Sequence, residues 1–355
     1  MATLAGPLLA DTRSQRADFL ELSSLFSSRG KSGGATLLGV LDLSADPVVS
    51  DWMVAEPDGE PLDEHIVESQ KEHVVATTFD ELRYRQGCLG NAYPFLVEAP
   101  SCTLTFEPAS GPGRAGGDIY LFCLLASAIR SGQVQGGDEL KELEKAIAVN
   151  FQICACLAAG GFLAGEVSSF GFPRASGDAF LPALRQAFHR FGAGQVREAV
   201  PEGMPKGLKD GGIDVIAWRE MPDQMPSKLY LLGQCASGRN WKEKSVVEYM
   251  AQLGAWFAEP PAQHATPAMF IPFPMHHDLE EPKAGTFTSS LRHRFWFEER
   301  RFGIIFDRIR IPHLAGTCLT FPAEARQRVE TADRLASVTD WVTQTVRLFR
   351  AEWKK

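Results

Sequence analysis

The 355 residues contain no CxxC pair and no GxxxxGK[ST] phosphate loop. Those absences exclude zinc knuckles and ATP hydrolysis by this chain alone. Cysteine is sparse and odd in number, seven in all, and several lie in apolar settings such as Phe122-Cys123-Leu124 and Ile153-Cys154-Ala155-Cys156. Buried thiols in a reducing compartment fit that distribution better than a disulfide framework. Positive charge is in the minority, with 36 Lys and Arg against 44 Asp and Glu and a net charge of -8. That excludes coating of nucleic acid by bulk charge and leaves room for a local basic groove. Repeats and low-complexity tracts are missing. The longest apolar runs, 119–129 and 154–164, fall short of the roughly 20 residues of a membrane span. The short apolar stretch at 1–11 has no basic leader. The expectation is a soluble cytoplasmic protein without membrane contact; a homo-oligomer is compatible with it.

What is present is ordinary globular composition, 45% hydrophobic and 23% charged, on a chain long enough for two or three domains at roughly 100–200 residues each. Two breaks divide it. One is the Gly/Pro/Ser-rich stretch 108–117 with Gly136-Gly137 beyond it, and the other is 259–267, which carries three prolines. They predict an N-terminal α+β scaffold or partner domain at 1–137, a central domain at 138–258 and a strand-then-helix region at 259–355. In the first, helices are expected at 11–28, 63–85 and 119–129 and strands at 37–43 and 102–106. In the second, a helix over 138–159 has early carboxylates that suit its dipole and is ended by Gly160-Gly161. A second helix over 178–191 repeats Phe180, Leu184, Phe188 and Phe191 at three- and four-residue steps and is capped by Ser176 or Asp178. A hairpin follows, with strands at 213–219 and 228–235, and then a helix over 241–257.

The hairpin carries the chemistry. It reads GGIDVIAW from Gly211, then LLGQCASGRNWKEK from Leu231. Alternation along a strand puts Lys228, Tyr230, Leu232 and Gln234 on one face. With a suitable register, Asp214 and Gln234 meet at one end of the sheet. Their oxygens, with the backbone carbonyl of Cys235, suit Mg²⁺, which prefers oxygen ligands and keeps several waters. Glycines before both residues leave space for close approach.

This arrangement, over about 138–257, resembles the PD-(D/E)xK, or restriction-endonuclease-like, nuclease superfamily. The resemblance implies an α/β fold with a mixed-sheet core flanked by helices, here between an N-terminal α+β region and a strand-rich C-terminal region. It also implies Mg²⁺ or Mn²⁺ as cofactor and hydrolysis of DNA phosphodiesters, with RNA as the other candidate substrate. The biological setting it implies is bacterial restriction or anti-phage defence beside a helicase or ATPase subunit. By that resemblance Asp214 is the metal carboxylate on the second core strand and Gln234 the Glu/Gln of the third. The lysine expected at position 236 is Ala236, so Lys242 or Lys244 takes its role; Lys228 lies too far back, roughly 20 Å along the strand. The acid of the first core helix is open between Glu142, Glu144 and Asp178, and the apolar end of the 138–159 helix offers only Gln152. The alternative is a catalytically silent subunit of the same fold, which Ala236 and Gln152 favour. A third reading is an unrelated mixed-fold interaction protein.

Two weaker signals remain. Arg292 to Phe302, continuing through Arg310, interleaves cations with aromatics, as a nucleic-acid groove does. Arg239, Arg292, Arg294, Arg300 and Arg301 are the candidate nucleic-acid contacts, although the same pattern suits salt-bridged strands, and 303–311 reads as a strand. Met275-His276-His277-Asp278 has metal-ligand composition but is expected to be a surface loop.

Overall fold

The computed structural model describes residues 3–8, 11–44, 64–174, 176–204, 208–225, 227–283 and 285–352. The chain folds as mixed α/β. Strand β1 (Thr3–Leu4) leads into helix α1 (Arg13–Phe26), whose Thr12 cap and Gln15 form a reciprocal capping box. Next come β2 (Lys31–Gly33), α2 (Gly34–Ser44), α3 (Glu64–Leu89), β3 (Phe95–Glu98), β4 (Thr103–Phe106) and α4 (Arg114–Ser131). Strands β2, β4 and β3 form a small antiparallel sheet. The 37–43 segment lies in α2 rather than in the expected strand; a short apolar run does not distinguish the two by periodicity alone.

After β5 (Val134–Gln135), the helix expected at 138–159 is two, α5 (Asp138–Lys145) and α6 (Ile147–Leu163), joined at Ala146. Gly160 and Gly161 do not end it. They let another helix cross closely: a Cβ on Gly161 would sit 1.9 Å from the carbonyl oxygen of Leu314. The 138–163 stretch is long and apolar enough to cross a bilayer, but 72% of its most apolar window is buried inside the fold, where its surface is used for internal packing.

The central architecture is then laid down by β6 (Glu166–Ser169), α7 (Phe180–Phe191), β7 (Gln195–Val196), β8 (Val215–Arg219), β9 (Leu229–Cys235), α8 (Val246–Leu253), β10 (Phe257–Glu259) and β11 (Thr266–Phe270). Helix α9 (Phe287–Phe302), β12 (Ile304–Phe306), α10 (Arg310–Leu319), α11 (Ala323–Gln327) and α12 (Leu335–Glu352) complete it. Helix α7 begins after Ala179, so neither Ser176 nor Asp178 caps it. The main sheet has the order β6-β8-β9-β11-β12; β8 runs antiparallel to both neighbours, and β9, β11 and β12 are parallel. Both faces are covered, which is why β8 reads as an unbroken apolar run. Val215 and Ala217 face the core shared with α6 and α10, while Ile216 and Trp218 face a second core with α7 and α8.

The boundary expected near 258 therefore runs through the sheet, because β11 and β12 come from beyond it. The principal core likewise draws on residues from Ala17 to Phe349, so it spans all three expected regions. The C-terminal region is mainly helical: Arg292 to Phe302 lies in α9, and within 303–311 only Ile304–Phe306 is a strand. Its inward residues Leu291, Phe295, Glu298 and Phe302 follow helical spacing.

A buried ionic network ties α1 and α3 to the loops after β11 and β12. Arg85 meets Asp18 at 2.6 Å, Glu81 at 2.8 Å and Glu21 at 3.1 Å. Arg308 also binds Asp18, and the hydroxyls of Tyr93 and Tyr120 donate to Glu21. His276 is buried against Glu81 at 2.8 Å. Of the expected surface loop at Met275–Asp278, Met275 and His276 are thus packed inside, while His277 is half-buried and Asp278 is exposed.

Candidate active site

The hairpin register brings the two predicted oxygen donors together. Val215 pairs with Gly233, so Asp214 and Gln234 are the next residues outward at one end of the sheet. Alternation puts both on the face of Ile216, Trp218, Tyr230 and Leu232, where cross-strand neighbours have Cβ atoms about 5 Å apart. The Asp214 amide donates to the Gly233 carbonyl at 2.8 Å, and Asp214 Oδ2 accepts the Cys235 amide at 2.7 Å. Among the described residues, Oδ1 accepts no hydrogen bond. Gln234 is 6% exposed and its Oε1 is buried without a partner among the described residues, a costly state for a polar atom unless a ligand pairs with it.

A third oxygen comes from α6. Gln152 Nε2 donates to Ser169 Oγ at 2.8 Å and to the Asp214 carbonyl at 3.2 Å. This turns its Oε1 toward Gly171, where the backbone folds over the site. A Cβ built on Gly171 would lie 2.4 Å from Asp214 Oδ1 and 2.6 Å from Gln152 Oε1. Both oxygens therefore flank a single small space that stays open because residue 171 has no side chain. Of the candidates for the helix acid, Glu142 is paired with Lys145 and Glu144 with Arg130 on exposed α5, away from this space. Half-buried Asp178 accepts a bond from Arg174 through its main chain.

Electrostatics single out one lysine. Burial pushes the Asp214 carboxyl up to about 7, and the nearby Asp210 charge adds to the rise; the Cys235 amide, Lys244 and Arg174 oppose it. Lys242 points elsewhere, held by Asp278 at 2.6 Å, and Lys228 is bound to Glu220 at 2.6 Å. Arg174, which sequence reasoning missed, lies within the fields of Asp210, Asp178 and Asp214 and stacks 4.6 Å from the Phe170 ring. No spacing or motif marks it; it arrives through the loop that follows β6. Cys235 supplies its amide, and its thiol is driven well above the ordinary range by burial on the opposite face.

The other predicted contacts are dispersed. The Arg239 side chain lies outside the described residues. Arg294 is paired with Asp278 at 2.9 Å and sits 3.5 Å from Glu298, whereas Arg292, Arg300 and Arg301 are exposed on α9. A cavity of about 530 Å³ opens beyond β9 and β11, lined in part by Ser237, Trp241, Lys242, His277 and Asp278. Neither Asp214 nor Gln234 lines it.

No cluster of three His, Cys, Asp or Glu side chains occurs among the described residues, so any cation here would be held by one carboxylate and neutral oxygens. The donors fit a hard cation: Asp214 Oδ1 and Gln152 Oε1 flank a space that a Cβ would fill, and at the same end of the sheet Gln234 Oε1 is buried with no partner among the described residues. Searches against protein-family models, curated proteins and solved structures found no match.

Proposed function

We propose that this chain is a metal-dependent nuclease with a restriction-endonuclease-like core, hydrolysing DNA phosphodiester bonds. One observation carries the reading. Asp214 Oδ1, at the mouth of the second strand of the sheet, and Gln152 Oε1, from the preceding helix, flank one small space, Gln234 stands across from Asp214 at the same end of the sheet, and Lys244 is close enough to stabilise the Asp214 charge. Asp214, Gln234 and Gln152 would hold Mg²⁺ or Mn²⁺, which supplies polarisation of the scissile phosphate and a lower pKa for the attacking water. Asp214 must lose its proton to serve, and cation binding favours that loss. Lys244, whose charge reaches Asp214, would oppose the negative charge that accumulates on the phosphate, and Arg174 would offer a second cation. Phe170, whose amide donates to the Asp214 carbonyl, and Ile216, two residues along the strand, are buried beside the donors and keep that side of the site dry.

A defence role in a bacterial cytoplasm, beside a helicase or ATPase subunit, is the biological setting that this reading carries. A silent subunit of the same fold is the second reading. It is favoured by Ala236 at the usual lysine position and by amides at two of the three donor positions. Plasmid cleavage with Mg²⁺, with EDTA, and with Mg²⁺ plus Asp214→Ala decides between them. The enzyme cuts only in the first; identical traces in all three leave the silent form.

A further inference from the structure

We infer that the solvent face of α9 is a stacking platform for unpaired nucleotides of the substrate, so that the nuclease engages single-stranded or frayed DNA; this rests on the nuclease reading above. Trp296 and Phe297 are 63% and 70% exposed, the two most exposed large apolar side chains among the described residues. They are not stray residues on a polar helix. Arg292 stands one turn before Trp296, and Arg300 one turn after it, with the Arg300 guanidinium 5.1 Å from the ring centre. Arg301 stands one turn after Phe297. Three exposed arginines against one exposed acid, Glu299, make this face basic on a chain whose net charge is -8. Its complement is a polyanion with flat apolar faces.

Paired DNA hides its base faces and would use only the arginines. Unpaired bases use both, since stacking on aromatics tolerates any sequence while the cations follow the phosphates. The helix from Arg292 to Arg301 is about 14 Å long, room for a short run of bases. It also leads to the candidate active site. Ser245 Oγ donates to the Arg301 carbonyl at 3.1 Å, and Ser245 directly follows Lys244. The Trp241 and Phe302 rings, 4.9 Å apart, fix the end of α9 to the same segment.

The test is fluorescence anisotropy of the full chain in EDTA, with fluorescein-labelled oligothymidine and a blunt duplex of equal length. Trp296→Ala with Phe297→Ala is expected to weaken oligothymidine binding at least about tenfold and duplex binding less than about twofold. Trp296→Phe, which keeps a ring, should restore part of the loss. Arg300→Ala with Arg301→Ala should weaken both ligands and lower the salt dependence of binding. All these positions are exposed, and an unchanged melting temperature verifies the fold. Binding of oligothymidine unaffected by the aromatic pair, or an equal loss on duplex, overturns the platform. If plasmid cutting still depends on Asp214 in that case, the nuclease reading survives alone and the aromatic face is assigned to a protein partner. If the intact chain neither cuts DNA nor binds oligothymidine, both fail.

Discussion

Replacing Asp214 with asparagine should make the metal-free protein more stable at neutral and alkaline pH. The substitution keeps shape and an oxygen that can accept the Cys235 amide, and it removes only the charge. In the fold the carboxyl titrates at about 7 instead of 3.8, so the unfolded chain releases its proton first. The neutral form's contribution to stability is fully present below about pH 4, declines as pH rises toward 7, and is gone above that. At ~1.4 kcal/mol per pH unit the ceiling is about 4 kcal/mol, and the partial solvent contact of Asp214 reduces this to about 2 kcal/mol. Urea denaturation in EDTA from pH 4 to 9 should show wild type and Asp214→Asn together at the acid end, diverging up to pH 7, with a constant gap beyond. At pH 8, added Mg²⁺ should raise the wild-type midpoint and leave the variant unmoved. A variant less stable than wild type at pH 8, or a gap independent of pH, would refute the account of Asp214 as a buried charge awaiting a cation.

Lys244→Ala should lower plasmid cleavage by about a hundredfold, whereas Lys242→Ala, whose amine is engaged by Asp278, should stay within about threefold; equal losses would show that the wrong lysine has been chosen. Gln234→Glu adds a second carboxylate, so it should reduce the Mg²⁺ concentration needed to raise the melting temperature while destabilising the metal-free form at pH 8 by about 1–3 kcal/mol. Gly171→Ala places a methyl between Asp214 Oδ1 and Gln152 Oε1 and should abolish the Mg²⁺-dependent rise in melting temperature with the far-ultraviolet dichroism unchanged. Arg85→Met removes the cation that Asp18, Glu21 and Glu81 share and leaves them only Arg308, the Tyr93 and Tyr120 hydroxyls and His276, which should cost about 3–5 kcal/mol in denaturant titrations; a loss below about 1 kcal/mol would mean those remaining partners suffice.

The hairpin was legible because its information is local: alternation, a two-proline turn and glycines before Asp214 and Gln234 fix the strands and the end at which the donors stand. What required coordinates depends on distance. Gln152 and Gly171 belong to the site only because α6 and the loop after β6 meet there, and the choice of Lys244 over Lys242 depends on Asp278, 36 positions away. The aromatic-rich Arg292–Phe302 segment misleads for a physical reason. Phe and Trp favour strands on average, yet here tertiary packing of Leu291, Phe295 and Phe302 at helical spacing overrides that preference. The division into three regions failed similarly, since Pro and Gly clusters mark loops without saying whether the sheet continues past them. Asp18 and Arg308 are neighbours across 290 positions, a pairing that no window along the chain reveals.

The strand order also constrains how the molecule is made. β9 carries Gln234 and lies between β8 and β11, so a nascent chain that has not yet extended past residue 270 holds its β8–β9 hairpin with one backbone edge bare. Such an edge recruits foreign strands, and the donors it carries lack their finished support. Seating β11 and β12 closes that edge, so the setting of the hairpin depends on residues well beyond it in the chain.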